Sequence, residues 1–125
     1  MKTLLIPGFL VLTLLSAAAP LSAHHQWPVS RARLVTVKGT VTQFVWSNPH
    51  PMITVEVRSE AGQMEKWLIG GPALNRMEAN GWNKGTVKAG DVITGTGYQF
   101  ADGQKIIRLE SVLLADGKEI RVYGR

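Results

Sequence analysis

Four turn signals at short intervals constrain this chain more than anything else in it: Glu60-Ala61-Gly62-Gln63, Lys88-Ala89-Gly90-Asp91, Ala101-Asp102-Gly103-Gln104 and Ala115-Asp116-Gly117-Lys118. Two of them are Asp-Gly pairs set between β-rich runs, the strongest short-range cue for a hairpin. Between the turns the apolar residues alternate. Ile53, Val55 and Val57 face one way, while Met52, Thr54, Glu56 and Arg58 face the other, the period of two that marks a half-buried strand. Ile120 and Val122 repeat the pattern near the end. The chain therefore reads as mostly antiparallel sheet.

The run from Leu34 to Trp46 is longer and changes parity, with Val35, Val37 and Val41 on one face and Phe44 and Trp46 on the other. A switch of parity inside one strand predicts a bulge or bend. Gly39 in its middle would ease the coiling, as glycine does at the corners of small barrels. One segment reads as helix, residues 72–81, with Pro72 near its first turn and Asn80-Gly81 at its end. Leu74 and Met77 are its apolar stripe, and Trp82 is a clamp beyond the terminus.

The expected order is a long bent strand at 34–46, strands at 52–59 and 63–69, the helix, then strands at 91–100, 104–114 and 118–123. An all-β chain with one short helix in this position has the order of an OB-fold-like barrel, small, antiparallel and closed or partly open. An open antiparallel sheet or another small barrel with the same strands is the rival, because local pattern specifies strands better than it specifies their neighbours.

Residues 1–23 have the three parts of a secretory signal: Lys2, an apolar run from Leu4 to Leu15, and a small-residue end at Ser16 to Ala23. The run is shorter than the roughly 20 residues that span a bilayer as a helix, so cleavage is expected and a stable membrane anchor is not. The chain then divides into the signal, an N-terminal segment at 24–33, and a single β-barrel domain at 34–125. Export to the periplasm follows. With no cysteine there is neither a disulfide framework nor a lipid-attachment thiol, and stability rests on a packed core. Lys and Arg outnumber Asp and Glu by 14 to 9, but they are scattered and form no stripe for a phosphate backbone. Nucleic acid is not an expected partner, and the charge reads as solubility with a weak attraction to anionic surfaces.

Cleavage after Ala23 would leave His24-His25 as the first residues. His24 then offers a free α-amine and an imidazole from one residue. The amine, with a reference pKa of about 7.7–8.0, is partly deprotonated at neutral pH and available as a ligand. His25 and His50 could complete a metal site. Nitrogen-rich sites favour Cu(II) among the divalent first-row ions, so copper is the favoured metal, with zinc and nickel open. The arrangement resembles the histidine brace of copper proteins that begin with histidine. His50 stands between Pro49 and Pro51, which fix their own φ angles and push His50 toward an extended conformation. If the strand begins just after it, Met52 shares its face and could add a thioether.

Plainer readings stand beside these. The first residues of a domain are often untethered, and Asn48-Pro49 can make a turn that leaves His50 as an ordinary loop residue. Trp27 weighs toward an ordered start, since a tryptophan seeks burial and could tether the segment to the barrel. Trp27, Trp46, Trp67 and Trp82 could form a ligand-binding surface, although core packing explains such residues more simply. No nucleophile elbow, P-loop, CxxC or haem-attachment motif is present, and Ser47 near His50 has no Asp placed to orient the ring. Asp102 and Asp116 are explained by their turns.

The signal ending in Ala-His-His, Gly39-Thr40-Val41, Phe44-Val45-Trp46-Ser47-Asn48-Pro49-His50, Trp67, Gly81-Trp82 and Lys88-Ala89-Gly90-Asp91-Val92 together resemble an uncharacterised family of small exported bacterial proteins. The resemblance implies an envelope location and a compact β-domain, with no established activity or catalytic residues. Gln26 and Tyr98-Gln99-Phe100 depart from its pattern. The leading functional expectation is a non-enzymatic periplasmic module that binds copper through His24, His25 and His50. The alternative is a module that docks on a larger envelope protein, with the histidines incidental.

Overall fold

The computed structural model describes residues 27–123. Its elements are β1 (Val29–Val45), β2 (Met52–Arg58), β3 (Met64–Gly70), α1 (Leu74–Ala79), β4 (Val92–Phe100), β5 (Ile106–Leu113) and β6 (Glu119–Arg121). The strands follow the hydrogen-bonded order β3-β2-β1-β4-β5-β6, with a further pairing of β3 with β5. That last pairing closes a ring through β1, β2, β3, β5 and β4. It removes the open-sheet rival. The closure is parallel, with Leu68, Ile69 and Gly70 opposite Ile106, Ile107 and Arg108, while the other pairings among the described strands are antiparallel, as the expected mostly antiparallel sheet requires.

Strand β1 is long because it serves two neighbours. Leu34 to Thr40 pair with β4, and Thr40 to Val45 pair with β2. The expected change of parity is a register shift between Val41 and Gln43, which puts the bulge after Gly39. Gly39 itself permits a close crossing. A Cβ there would stand 2.5 Å from the Glu56 carbonyl oxygen, so the two strands can approach this closely only where no side chain intervenes. The strand starts at Val29, ahead of the expected Leu34. Val29 pairs with Phe100 across an irregularity that ends at Leu34, and Ala101 N–H donates to the Pro28 carbonyl at 2.8 Å. The exposed stretch Arg31 to Arg33 lacks the alternation by which a strand is recognised.

The core is the inward face of this ring. Val37, Val41, Ile53, Val55, Ile69, Ile93, Ile107, Leu109 and Val112 are buried, following the parity of each strand except in β5, where a register shift between Leu109 and Ser111 brings Val112 inward after Ile107 and Leu109. Met77 of α1 and Trp82 join them, so the short helix plugs the ring with one side chain and its clamp. Trp46 and Trp67 are partly buried against the same core, which accounts for them as packing residues. At the Asp-Gly turns, Gly103 and Gly117 take φ values of 82° and 87°. The Asp102 and Asp116 carboxylates accept from the backbone N–H of Gln104 and Lys118 at 3.0 and 2.9 Å, the local role expected of aspartate in a turn.

Candidate functional site

The expected site residue that the structure describes, His50, sits where two loops meet. The peptide Asn48–Pro49 is cis, and Pro51 is fully buried. Gly71 N–H donates to the Pro51 carbonyl at 2.8 Å, and the Gly71 carbonyl lies 3.1 Å from His50 Nδ1. A carbonyl can only accept, so Nδ1 carries the proton in this bond. In the neutral ring, Nε2 then keeps its lone pair. The side chain of Asn48 accepts from Leu74 N–H at 3.3 Å, supplying the first turn of α1 with the partner that Ala73 cannot provide. The Asn-Pro-His-Pro stretch is thus a clamp between the β1–β2 and β3–α1 loops, more than the simple turn read from its sequence.

Trp27 completes the site. Its ring meets His50 edge-on at a centroid distance of 4.5 Å and Phe100 at 5.5 Å. A Cβ at Gly70 would overlap the Trp27 ring, and one at Gly71 would overlap the Met77 sulfur. The consecutive glycines therefore admit a tryptophan at one position and the helix plug at the next. The expected tether is present: Trp27 fastens the start of β1 to the His50 loop. Replacing Gly70 by Ala is expected to push the indole out, shifting the Trp27 Nε1–H resonance in an NMR spectrum while leaving that of Trp82 in place. The overpacking would lower stability by about 1–3 kcal/mol.

His24 and His25 lie outside the described residues. Among the described residues no group of three or more His, Cys, Asp or Glu is arranged to hold a metal ion. Met52 is half-buried in β2. What the sequence pattern did not reveal is the ground around His50. Trp27, His50, Arg31, Arg76, Arg108 and Tyr123 border an open groove of about 420 Å³, within the usual range of small-molecule sites. Arg31 comes from β1, Arg76 from α1 and Arg108 from β5. The guanidinium groups of Arg76 and Arg108 lie 5.3 and 5.5 Å from the Tyr123 ring centroid, and Arg108 also lies 5.4 Å from that of Tyr98. Burial pushes the Tyr123 phenol above its ordinary range against the opposing charge of Arg108, so it is a neutral hydroxyl at neutral pH.

The sequence model of a family of unknown function (DUF6152) matches residues 11–107. The chain belongs to this family. The DUF6152 match takes in Trp27, Arg31, His50 and Arg76 and ends just before Arg108. Among curated proteins none matches the DUF6152 chain. Among solved structures it is similar to the mitochondrial single-stranded DNA binding protein Rim1 of S. cerevisiae, with a TM-score of 0.51, 11% identity, and coverage of 70% of this chain and 94% of that one. At that identity the likeness shows the fold alone: an OB-like ring of strands. Among the described residues no helix is long and apolar enough to cross a membrane.

Proposed function

We propose that this protein is a small exported periplasmic domain that binds a transition metal, copper in first place, through the α-amine and ring of His24, the ring of His25 and Nε2 of His50. The observation that carries the reading is the edge-on contact of Trp27 with His50 at 4.5 Å. His24 is three residues upstream of Trp27, and three residues span at most about 11 Å at the ordinary rise of an extended chain. A chain beginning at His24 would then carry its α-amine and first ring within that span of Trp27, close enough to reach the His50 ring. The hydrogen bond from Nδ1 to Gly71 supports the same reading, since a ligating histidine commonly gives its second nitrogen to a carbonyl, which fixes both tautomer and ring direction. Its test is a Cu(II) titration of the chain beginning at His24. One ion retained per chain after desalting supports the reading, and no retention refutes it.

A second reading, docking on a larger envelope protein, has its own observation. Val92 and Leu113 are each 44% exposed and border one shallow depression with Lys38 and Leu114. Co-purification of a partner that is lost on changing Val92 and Leu113 to Ser, with no metal retained, would favour it.

A further inference from the structure

An exposed arginine is ordinary surface. Three that converge on one groove are not, because like charges brought together raise each other's cost unless something of opposite sign offsets them. Arg108 is partly offset by Glu110, whose Oε1 lies 2.7 Å from its Nη2, but its buried Nε finds no hydrogen-bond partner among the described residues. Arg31 and Arg76 form no ion pair among the described residues, and none of the described residues lining the groove is acidic. The Tyr123 ring, lying against both the Arg76 and Arg108 guanidinium groups, holds them by cation–π contact, which keeps their planar forks ready for a ligand.

We infer that the groove bordered by Arg31, Arg76 and Arg108 binds a small polyanion bearing carboxylate or phosphate oxygens, with Trp27 and Tyr123 as its aromatic walls. Guanidinium groups meet such oxygens two at a time, in charge-assisted bonds about twice as strong as neutral ones. The inference goes beyond the metal reading and does not depend on it, although the two sites share His50. A metal ion held by neutral nitrogen ligands would sit in the field of the same arginines, and a polyanion in the groove would offset that field.

The test uses the chain beginning at His24, stripped of metal on a chelating resin, titrated calorimetrically with citrate and separately with pyrophosphate at about 0.15 M salt, where nonspecific attraction beyond roughly 8 Å is screened. Saturable one-to-one binding of either probe is expected, and which one binds more tightly assigns carboxylate or phosphate. The double variant R31Q/R76Q, at two exposed positions, should weaken it by roughly tenfold or more. K84Q/K118Q, which removes the same charge away from the groove, should change it by less than about twofold. Binding that never saturates, or that falls equally in both double variants, would overturn the inference. Retention of Cu(II) by R31Q/R76Q, whose histidines and amine are intact, keeps a failure here distinct from a failure of the metal site.

Discussion

Replacing Ile69 by Ala is expected to cost about 2–5 kcal/mol of folding free energy, the usual range for emptying a fully buried aliphatic position. Ile69 has no exposed surface and is the middle of the three residues, Leu68 to Gly70, at which β3 is paired on both edges, with Ile53 on one side of it and Ile107 on the other. Its Cδ1 reaches across the ring to the neighbourhood of Gly95, so the loss of three carbons leaves a hole bordered by three strands. A domain of this size has about 5–15 kcal/mol in total, and the variant should therefore unfold at much lower urea concentration. Leu113→Ala is the control, since Leu113 is 44% exposed at the end of β5 and should shift the midpoint little. Equal losses in the two variants would mean that the β3–β5 closure does not hold the core together.

The second large effect separates what His50 does for the fold from what it does for a metal. His50→Asn places an amide N–H near the position of Nδ1 and removes Nε2. The bond to Gly71 can persist while the ligand is lost. Stability should then stay within about 1 kcal/mol of the parent, the net worth of one hydrogen bond, whereas Cu(II) affinity should fall by roughly tenfold or more, at least the loss typical of disturbing a partner of the metal's ligands. His50→Ala should lose both. Cu(II) binding that survives in His50→Asn would remove His50 from the ligand set and leave it as a clamp.

Much of the fold was legible because its signals are local. The parity of Ile53, Val55 and Val57 matches their inward positions, and the parity change between Val41 and Phe44 marks the bulge. Pro72 and Gly81 bracket the helix, and the Asp-Gly pairs turn the chain. The parallel closure was not legible, since Ile69 would alternate in the same way on an edge strand as on one paired at both sides. Nor was the start of β1, where Arg31 and Arg33 present a polar face to solvent and only backbone hydrogen bonds betray the strand.

At the site, Trp27 and His50 were readable as individuals, through burial preference and proline flanks, but their contact depends on Gly70 and Gly71 arriving from the far end of β3. Asn48 was readable as a turn residue and not as the cap of α1, because its partner Leu74, the first residue of α1, lies 26 residues further along the chain. The arginine groove was invisible: Arg31, Arg76 and Arg108 stand far apart in the chain, each indistinguishable from a solvated charge until the ring of strands brings them to one end.

If the first mature residue and His50 share one metal ion, the α-amine of His24 must be a ligand alongside its own ring. A Cu(II) titration followed by electron paramagnetic resonance decides this, on the protein beginning at His24 and on the same protein with one alanine added before His24. Moving the α-amine off the histidine breaks the chelate made by amine and ring within one residue. One-to-one binding with a nitrogen-rich spectrum is expected in the first protein, and an affinity at least roughly tenfold lower with an altered spectrum in the second. Identical affinity and spectra in the two would contradict a shared metal site.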